Sequence, residues 1–475
     1  MKDDTLKPTK RARIRLVPPE PEIELYKDGF GNDALGRERA GQELSNLLDM
    51  VEGRLVVAVD GKWGSGKTHF LKCWSGAYER ATVVYFDAFA HDHVSQPLPA
   101  MVSVMRNRFK ETGDAGWKEH GLDLLKSAHM LTRPVIRALL AAQGAGAVMD
   151  VAEAVAAAMD DRDGSGNGNF GQDEFWKDEA ERLAAMDDFR KALAGVVAKD
   201  DGTQPLVIIV DELDRCRPDY ALETLEVIKH LFAVDGVHFV LGVNLDALEH
   251  IVRAMYGRDF PARKYLNRFI QVVFNLPEEA NVQGEREALQ VFHLRHLREA
   301  MNLNVPEDAF RMLEEHLGLV SSVNDVSLRD VGDIMSRVTL AFRTMHERDE
   351  MRIDANHFSM EMRVMLTLIV SQVVRPDLHA RFLARTATRE DLKSYIGERE
   401  LMKADDLLEF PPPKESEHSL LFHGWDAVCG INPAGTPEKQ FRRAHFGSME
   451  ALGDVPGRIR ERFLARFVPY EPEAG

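Results

Sequence analysis

The 475-residue chain has little cysteine: Cys73, Cys216 and Cys429 are its only three, far apart and without a CxxC pair. A disulfide framework is therefore not expected, and a reducing, cytoplasmic setting fits best. There is no run of about 18 apolar residues, the length that a membrane-spanning helix needs, so no membrane span is expected. The nearest stretch, Ala138 to Met149, is short, contains Gln143 and is flanked by Arg137 and Asp150; it reads as a small-residue helix. Positive charge is outweighed: 60 Lys and Arg stand against 77 Asp and Glu, a formal net charge of −17. That balance argues against general affinity for nucleic acid or anionic lipid, though not against a local basic patch. The first residues, MKDDTLKPTKRARIRLVPPEPE, are basic but have no apolar core behind them, so they do not read as a secretory signal. No internal repeat is visible.

What is present is ordinary for a soluble globular protein, with 44% apolar and 29% charged residues. The length suggests about three units of roughly 150 residues, enough to bury a large core without staples. Short β-branched runs alternate with helical patterns: RLVVAVD, ATVVYFDAF (81–89), PLVIIVDELD (205–214), VHFVLGVN (237–244) and FIQVVFNLP (269–277). Continuous apolar runs of this length fit buried parallel strands. Their alternation with helices predicts an α/β fold, a parallel sheet covered on both faces. The expected organisation is a basic arm over 1–24 (Lys7, Lys10, Arg11, Arg13, Arg15), a core over 25–94 and 200–280, a helical insertion over 95–199, a helical region over 281–405 and an extension of unknown role over 406–475. GSGNGNFG (164–171) reads as a loop and EFPPPKESE (409–417) as a linker.

One motif is complete. Gly61-Lys62-Trp63-Gly64-Ser65-Gly66-Lys67-Thr68 matches G-x-x-x-x-G-K-[ST], after a strand and before a helix. Loop N–H groups and the helix N-terminus can wrap phosphates. Gly61, Gly64 and Gly66 allow the turn and the close approach. Lys67 is expected to reach the β- and γ-phosphates of ATP, and Thr68 to ligate Mg2+. Ser65 and His69, within and just after the loop, join Trp63 as candidate nucleotide contacts. The run Leu206 to Val210 then delivers Asp211 and Glu212 to the end of a strand. Asp211 is expected to hold the magnesium shell, and Glu212 to orient and polarise the attacking water.

GKWGSGKT, followed by VIIVDELDRCRPDYALETLEVIKHLF and FVLGVNLDAL, resembles the KAP family of P-loop NTPases, within the wider AAA+-like and STAND-like class. The likeness covers roughly residues 25–340 and includes the tryptophan in the loop, the DELDRC segment and Lys264-Tyr265-Leu266-Asn267-Arg268-Phe269 before the last strand. It implies an ATPase with a helical lid, working as a homo-oligomer, and in bacteria a role in anti-phage defence beside an effector protein. Many family members carry transmembrane helices between the two nucleotide motifs; here that long stretch is polar, and a soluble member is expected. Glutamate at 212, where the family often has aspartate, favours hydrolysis.

The resemblance also points to weaker candidates. Asn244 would be a sensor for the γ-phosphate, with a helix cap as the alternative. Arg268 would be a finger aimed at a neighbouring site, with Arg258 and Arg263 as rivals. Arg329 would reach back from the lid, and Arg37, in Gly36-Arg37-Glu38, would lie near the adenine. Asp214 and Arg215 read as a salt bridge or cap. Asp161 to Gln172 imitates half of a calcium loop but ends in Gln172 and reads as a linker. His91, Asp92 and His93 read as a polar loop. The alternative functions are a non-hydrolysing ATP-gated scaffold and a DNA translocase. The −17 balance does not support nucleic acid as a partner, although a ring could focus positive residues inside.

Overall fold

A computed structural model describes residues 23–131, 172–301, 305–347, 355–408, 416–430, 440–441, 445 and 455–464, apart from 34, 95, 200, 201, 204, 278, 283 and 284. The basic arm, the Ala138 to Met149 stretch, the loop over 164–171 and the calcium-like segment before Gln172 lie outside the described residues. Two compact units are formed, one from 23–33 and 37–277, the other from 34–36 and 278 onward.

The first unit is an α/β sandwich around five strands: β1 (Val56–Asp60), β2 (Thr82–Asp87), β3 (Leu206–Asp211), β4 (Val237–Val243) and β5 (Val272–Asn275). All are parallel, in the order β2-β3-β4-β1-β5. Side-chain alternation sends Val57, Val59, Val207 and Ile209 to one face, where they meet Leu44 and Leu48 of α1 (Glu38–Asp49) and Phe70, Leu71 and Trp74 of α2 (Lys67–Ala77). It sends Ala58, Val84, Ile208 and Phe239 to the other. A short α3 (Ala88–His91) follows β2. The opposite face is covered by α4 (Pro97–Thr112), α5 (Ala115–Leu131), α6 (Gln172–Val197), α7 (Pro218–His230) and α8 (Leu245–Tyr256). Met105, Phe109, Phe189 and Leu193, from the stretch between the two nucleotide motifs, belong to this same core. Each such side chain contributes roughly 1.5–3 kcal/mol by leaving water. A five-residue helix, α9 (Ala262–Leu266), leads into β5. Because the strands are parallel, the loop after β1, Asp211, Asn244 and Asp87 all come to one edge of the sheet, the edge where open α/β sheets bind ligands.

The second unit is helical. It opens with a small antiparallel ladder, β6 (Glu279–Val282) and β7 (Glu285–Ala288), which the charged sequence EEANVQGEREA does not signal. There follow α10 (Leu289–Ala300), α11 (Glu307–Ser321), α12 (Leu328–Glu347), α13 (Ala355–Val374), α14 (Pro376–Ala384), α15 (Arg389–Ile396), α16 (Glu417–Cys429) and α17 (Val455–Ile459). Leu313, Ile334, Met335, Val338, Leu366, Ile369, Phe382 and Tyr395 form one core with Leu420 and Trp425 of α16. Glu417, at the end of the proline-rich segment, is buried and accepts hydrogen bonds from Arg363 Nε and Nη2 at 2.8 and 2.6 Å. None of the described helices is long and apolar enough to cross a membrane.

Candidate functional site

The phosphate loop joins β1 to α2. Gly64 and Gly66 take φ of 77° and 84°, a region that glycine enters without strain. A β-carbon on Gly61 would come within 2.7 Å of Ser65 Oγ. Gly66 caps α2 without a side-chain bond, and the helix's own first turn holds no acidic residue, so no carboxylate of the helix itself competes for its N-terminal N–H groups. Lys67 Nζ donates to the carbonyls of Gly61 and, at 3.0 Å, Lys62. Burial lowers its pKa, while Asp214, Asp211 and Asp60 favour the ammonium form.

Asp211 ends β3 almost fully buried. It accepts hydrogen bonds from Tyr85 Oη at 2.7 Å and from the Glu212 amide at 3.0 Å, and the Thr68 side chain favours its charged form. Burial raises its pKa, and these donors oppose the shift. Tyr85 is the residue that sequence reasoning missed. It lies on β2, and only the pairing of β2 with β3 brings its hydroxyl to the carboxylate. Its tyrosine type inside VVYFD was the available signal, since a buried phenol needs a partner.

The next residue, Glu212, has a left-handed backbone, φ 60° and ψ 26°. Its carboxylate pairs with Arg215 Nη1 at 2.8 Å. The salt bridge expected for Arg215 is thus made to Glu212, whereas Asp214 accepts a 2.6 Å hydrogen bond from the Trp63 indole Nε1. Trp63 itself is 52% exposed.

Asn244 follows β4 and caps α8, its Oδ1 accepting from the Asp246 and Ala247 amides at 3.1 and 3.2 Å. Arg37 is buried at the start of α1; its Nη2 donates to the Pro277 carbonyl at 3.4 Å, and its amide to Asp33 Oδ2 at 2.7 Å. His69, in the first turn of α2, turns Nδ1 toward Asp33 Oδ1 at 3.5 Å. Arg258, Arg263 and Arg268 are exposed around α9, with Arg268 Cζ 6.0 Å from the Tyr265 ring centroid. Arg329 lies in the first turn of α12, in the helical unit. Asp92 is committed elsewhere, accepting from the Arg217 amide and Nε at 2.8 and 2.7 Å. The structure therefore brings together the loop, Thr68, Asp211, Glu212, Asp214 and Tyr85.

This set fits a nucleoside triphosphate with magnesium. Ser65 Oγ is buried in the loop and makes no hydrogen bond. Among the described residues no cluster of three His, Cys, Asp or Glu could hold a metal ion alone. Thr68 and Asp211 form a partial shell, the arrangement Mg2+ accepts when substrate phosphates and water complete it.

A family model, described as the KAP family P-loop domain, matches residues 39–370. No curated protein matches the chain. Among solved structures, the ORC2 protein of Aeropyrum pernix is similar in two forms. Its ADPNP-ADP complexes are 12% identical, with a TM-score of 0.31 over 93% of this chain and 96% of that one. Its ADP form is 14% identical, with a TM-score of 0.29 over 95% and 97%.

Proposed function

The chain belongs to the KAP family of P-loop NTPases, and from that premise we propose that it is a magnesium-dependent ATPase. One observation carries this reading: the complete phosphate loop sits beside a buried aspartate, held by Tyr85 Oη at 2.7 Å, whose charge the loop's own Thr68 favours. Lys67 and the loop amides hold the phosphates. Thr68 and Asp211 hold Mg2+, which when bound neutralises charge on the transferred phosphoryl group. Glu212 orients water and accepts its proton. Tyr85 fixes the Asp211 carboxylate. Asn244 has its Oδ1 engaged in the cap, so a sensing role falls to its Nδ2. Arg37, Ser65 and His69 line the nucleotide site.

The reading extends to a homo-oligomer in which Arg268, or its neighbours Arg258 and Arg263, completes the site of an adjacent copy. On resemblance alone it extends to bacterial anti-phage defence with an effector protein. A second reading, an ATP-gated scaffold without turnover, draws on the Glu212–Arg215 ion pair, which engages the carboxylate that hydrolysis needs free. Two variants separate the readings. Lys67→Ala is expected to lose ATP binding and turnover. Glu212→Gln is expected to bind ATP normally and to hydrolyse it about 10²–10⁴-fold more slowly, the usual worth of a general base. Unchanged turnover in Lys67→Ala would sink the nucleotide assignment, and a wild-type chain that binds without hydrolysing would establish the scaffold.

A further inference from the structure

Trp63 is placed oddly for a tryptophan. At 52% exposed it is not held for burial. Its one polar atom, a donor only, is spent on Asp214, 151 positions away in the sequence. Asp214 is 6% exposed, and a buried carboxylate needs donors. At 2.6 Å this is a short, charge-assisted contact, of the strong kind.

The bond joins two parts of the site. Trp63 belongs to the phosphate loop. Asp214 belongs to the tight turn that carries Glu212, closed by Arg215 N to Glu212 O at 3.1 Å and Cys216 N to Leu213 O at 3.3 Å. Glu212 lies between Asp211, held by Tyr85, and Asp214, held by Trp63. A glutamate at φ 60° keeps that backbone only while its surroundings over-determine it. Releasing Asp214 would let the turn relax and carry the Glu212 carboxylate away from the loop.

We infer that Trp63 and Asp214 are positioning residues for water activation: the Trp63–Asp214 hydrogen bond locks the Glu212 turn to the phosphate loop. The inference rests on the reading of Glu212 as the base. A displacement of about 1 Å can cost on the order of 10²-fold in rate, with binding preserved.

The test compares Trp63→Phe, which keeps a ring but removes the donor, with Asp214→Ala, Asp214→Asn and the Trp63→Phe/Asp214→Ala double variant. Turnover and the equilibrium affinity for Mg2+–ATP are measured for each, and retained affinity reports a folded loop. Trp63→Phe and Asp214→Ala are expected to lower kcat by about 10²-fold with affinity nearly unchanged. The double variant should be no slower than either single one. Asp214→Asn, whose amide oxygen still accepts from the indole, should recover most of the rate.

Multiplying losses in the double variant, or full kcat in Trp63→Phe, would overturn the inference. So would loss of affinity in Asp214→Asn equal to that in Asp214→Ala, which would mean that Asp214 acts on Lys67 through charge. A wild type that binds ATP without turnover would sink the ATPase reading together with this one, whereas wild-type turnover with an indifferent Trp63→Phe would sink this one alone.

Discussion

Gly242 lies beneath Asp211: a β-carbon placed on Gly242 would sit 2.5 Å from Leu71 Cδ1 of α2 and closer still to Asp211 Oδ1. The glycine interrupts the apolar run Phe239 to Val243 because two other elements need that space. A glycine inside a strand often marks such a close approach.

Gly242→Ala is therefore expected to act twice. Overpacking a rigid strand costs typically about 1–3 kcal/mol, and the carboxylate that yields is the one assigned to magnesium. Stability should fall by that amount in denaturant titration, and turnover should fall further than stability accounts for. Wild-type turnover at saturating Mg2+ would show that Asp211 is not confined by this contact.

In the helical unit, His316 is fully buried, with Nε2 3.0 Å from Tyr395 Oη. Burial, with Arg363 nearby, lowers its pKa to about 3. The unfolded chain protonates this histidine near its ordinary value of 6.5, whereas the folded chain resists. Its contribution is therefore intact above that pH and is lost as pH falls toward the folded value. Between pH 6.5 and 5 the group should cost the fold about 2 kcal/mol. His316→Gln should show a shallower decline in denaturation midpoint over that interval. Identical slopes would mean that another group sets the acid sensitivity.

Arg268 is exposed and, among the described residues, its guanidinium makes a distant approach to the Tyr265 ring, which leaves it available to a second copy. If it completes a neighbouring site, Arg268→Ala should bind ATP nearly normally and lose roughly 10³-fold or more in rate. Mixing it with Lys67→Ala subunits, which keep the arginine but not the binding site, should restore part of the activity. Native mass measured alongside must report mixed oligomers. Mixed oligomers without recovery would rule out Arg268, and the same experiment on Arg258 and Arg263 would judge those rivals.

The phosphate loop was legible because its chemistry is local. Three glycines, a lysine and a threonine at fixed spacing, between an apolar run and a helical pattern, are enough to shape a strand–loop–helix. The five strands were legible because strands buried on both faces leave long apolar runs, as in LVIIVD and VHFVLGV. Asp211 and Glu212 followed from standing at the end of such a run.

The surroundings of those carboxylates were decided by tertiary structure. Tyr85 reaches Asp211 only through the pairing of β2 with β3, and Gly242 matters only because β4 lies between β3 and β1. The Trp63–Asp214 bond closes across the whole stretch that supplies α4, α5 and α6. Asn244 could be written as cap or sensor from its position alone; the structure makes the cap through one atom and leaves the other to chemistry. In the second unit, α16 follows a proline-rich stretch that reads as a linker, yet Trp425 and Leu420 lie in the core with α11, α12 and α13. The reason is the same in each case. Backbone pattern depends on neighbours along the chain, whereas a hydrogen bond or a packed ring depends on which distant segments the sheet order and the helical core set side by side.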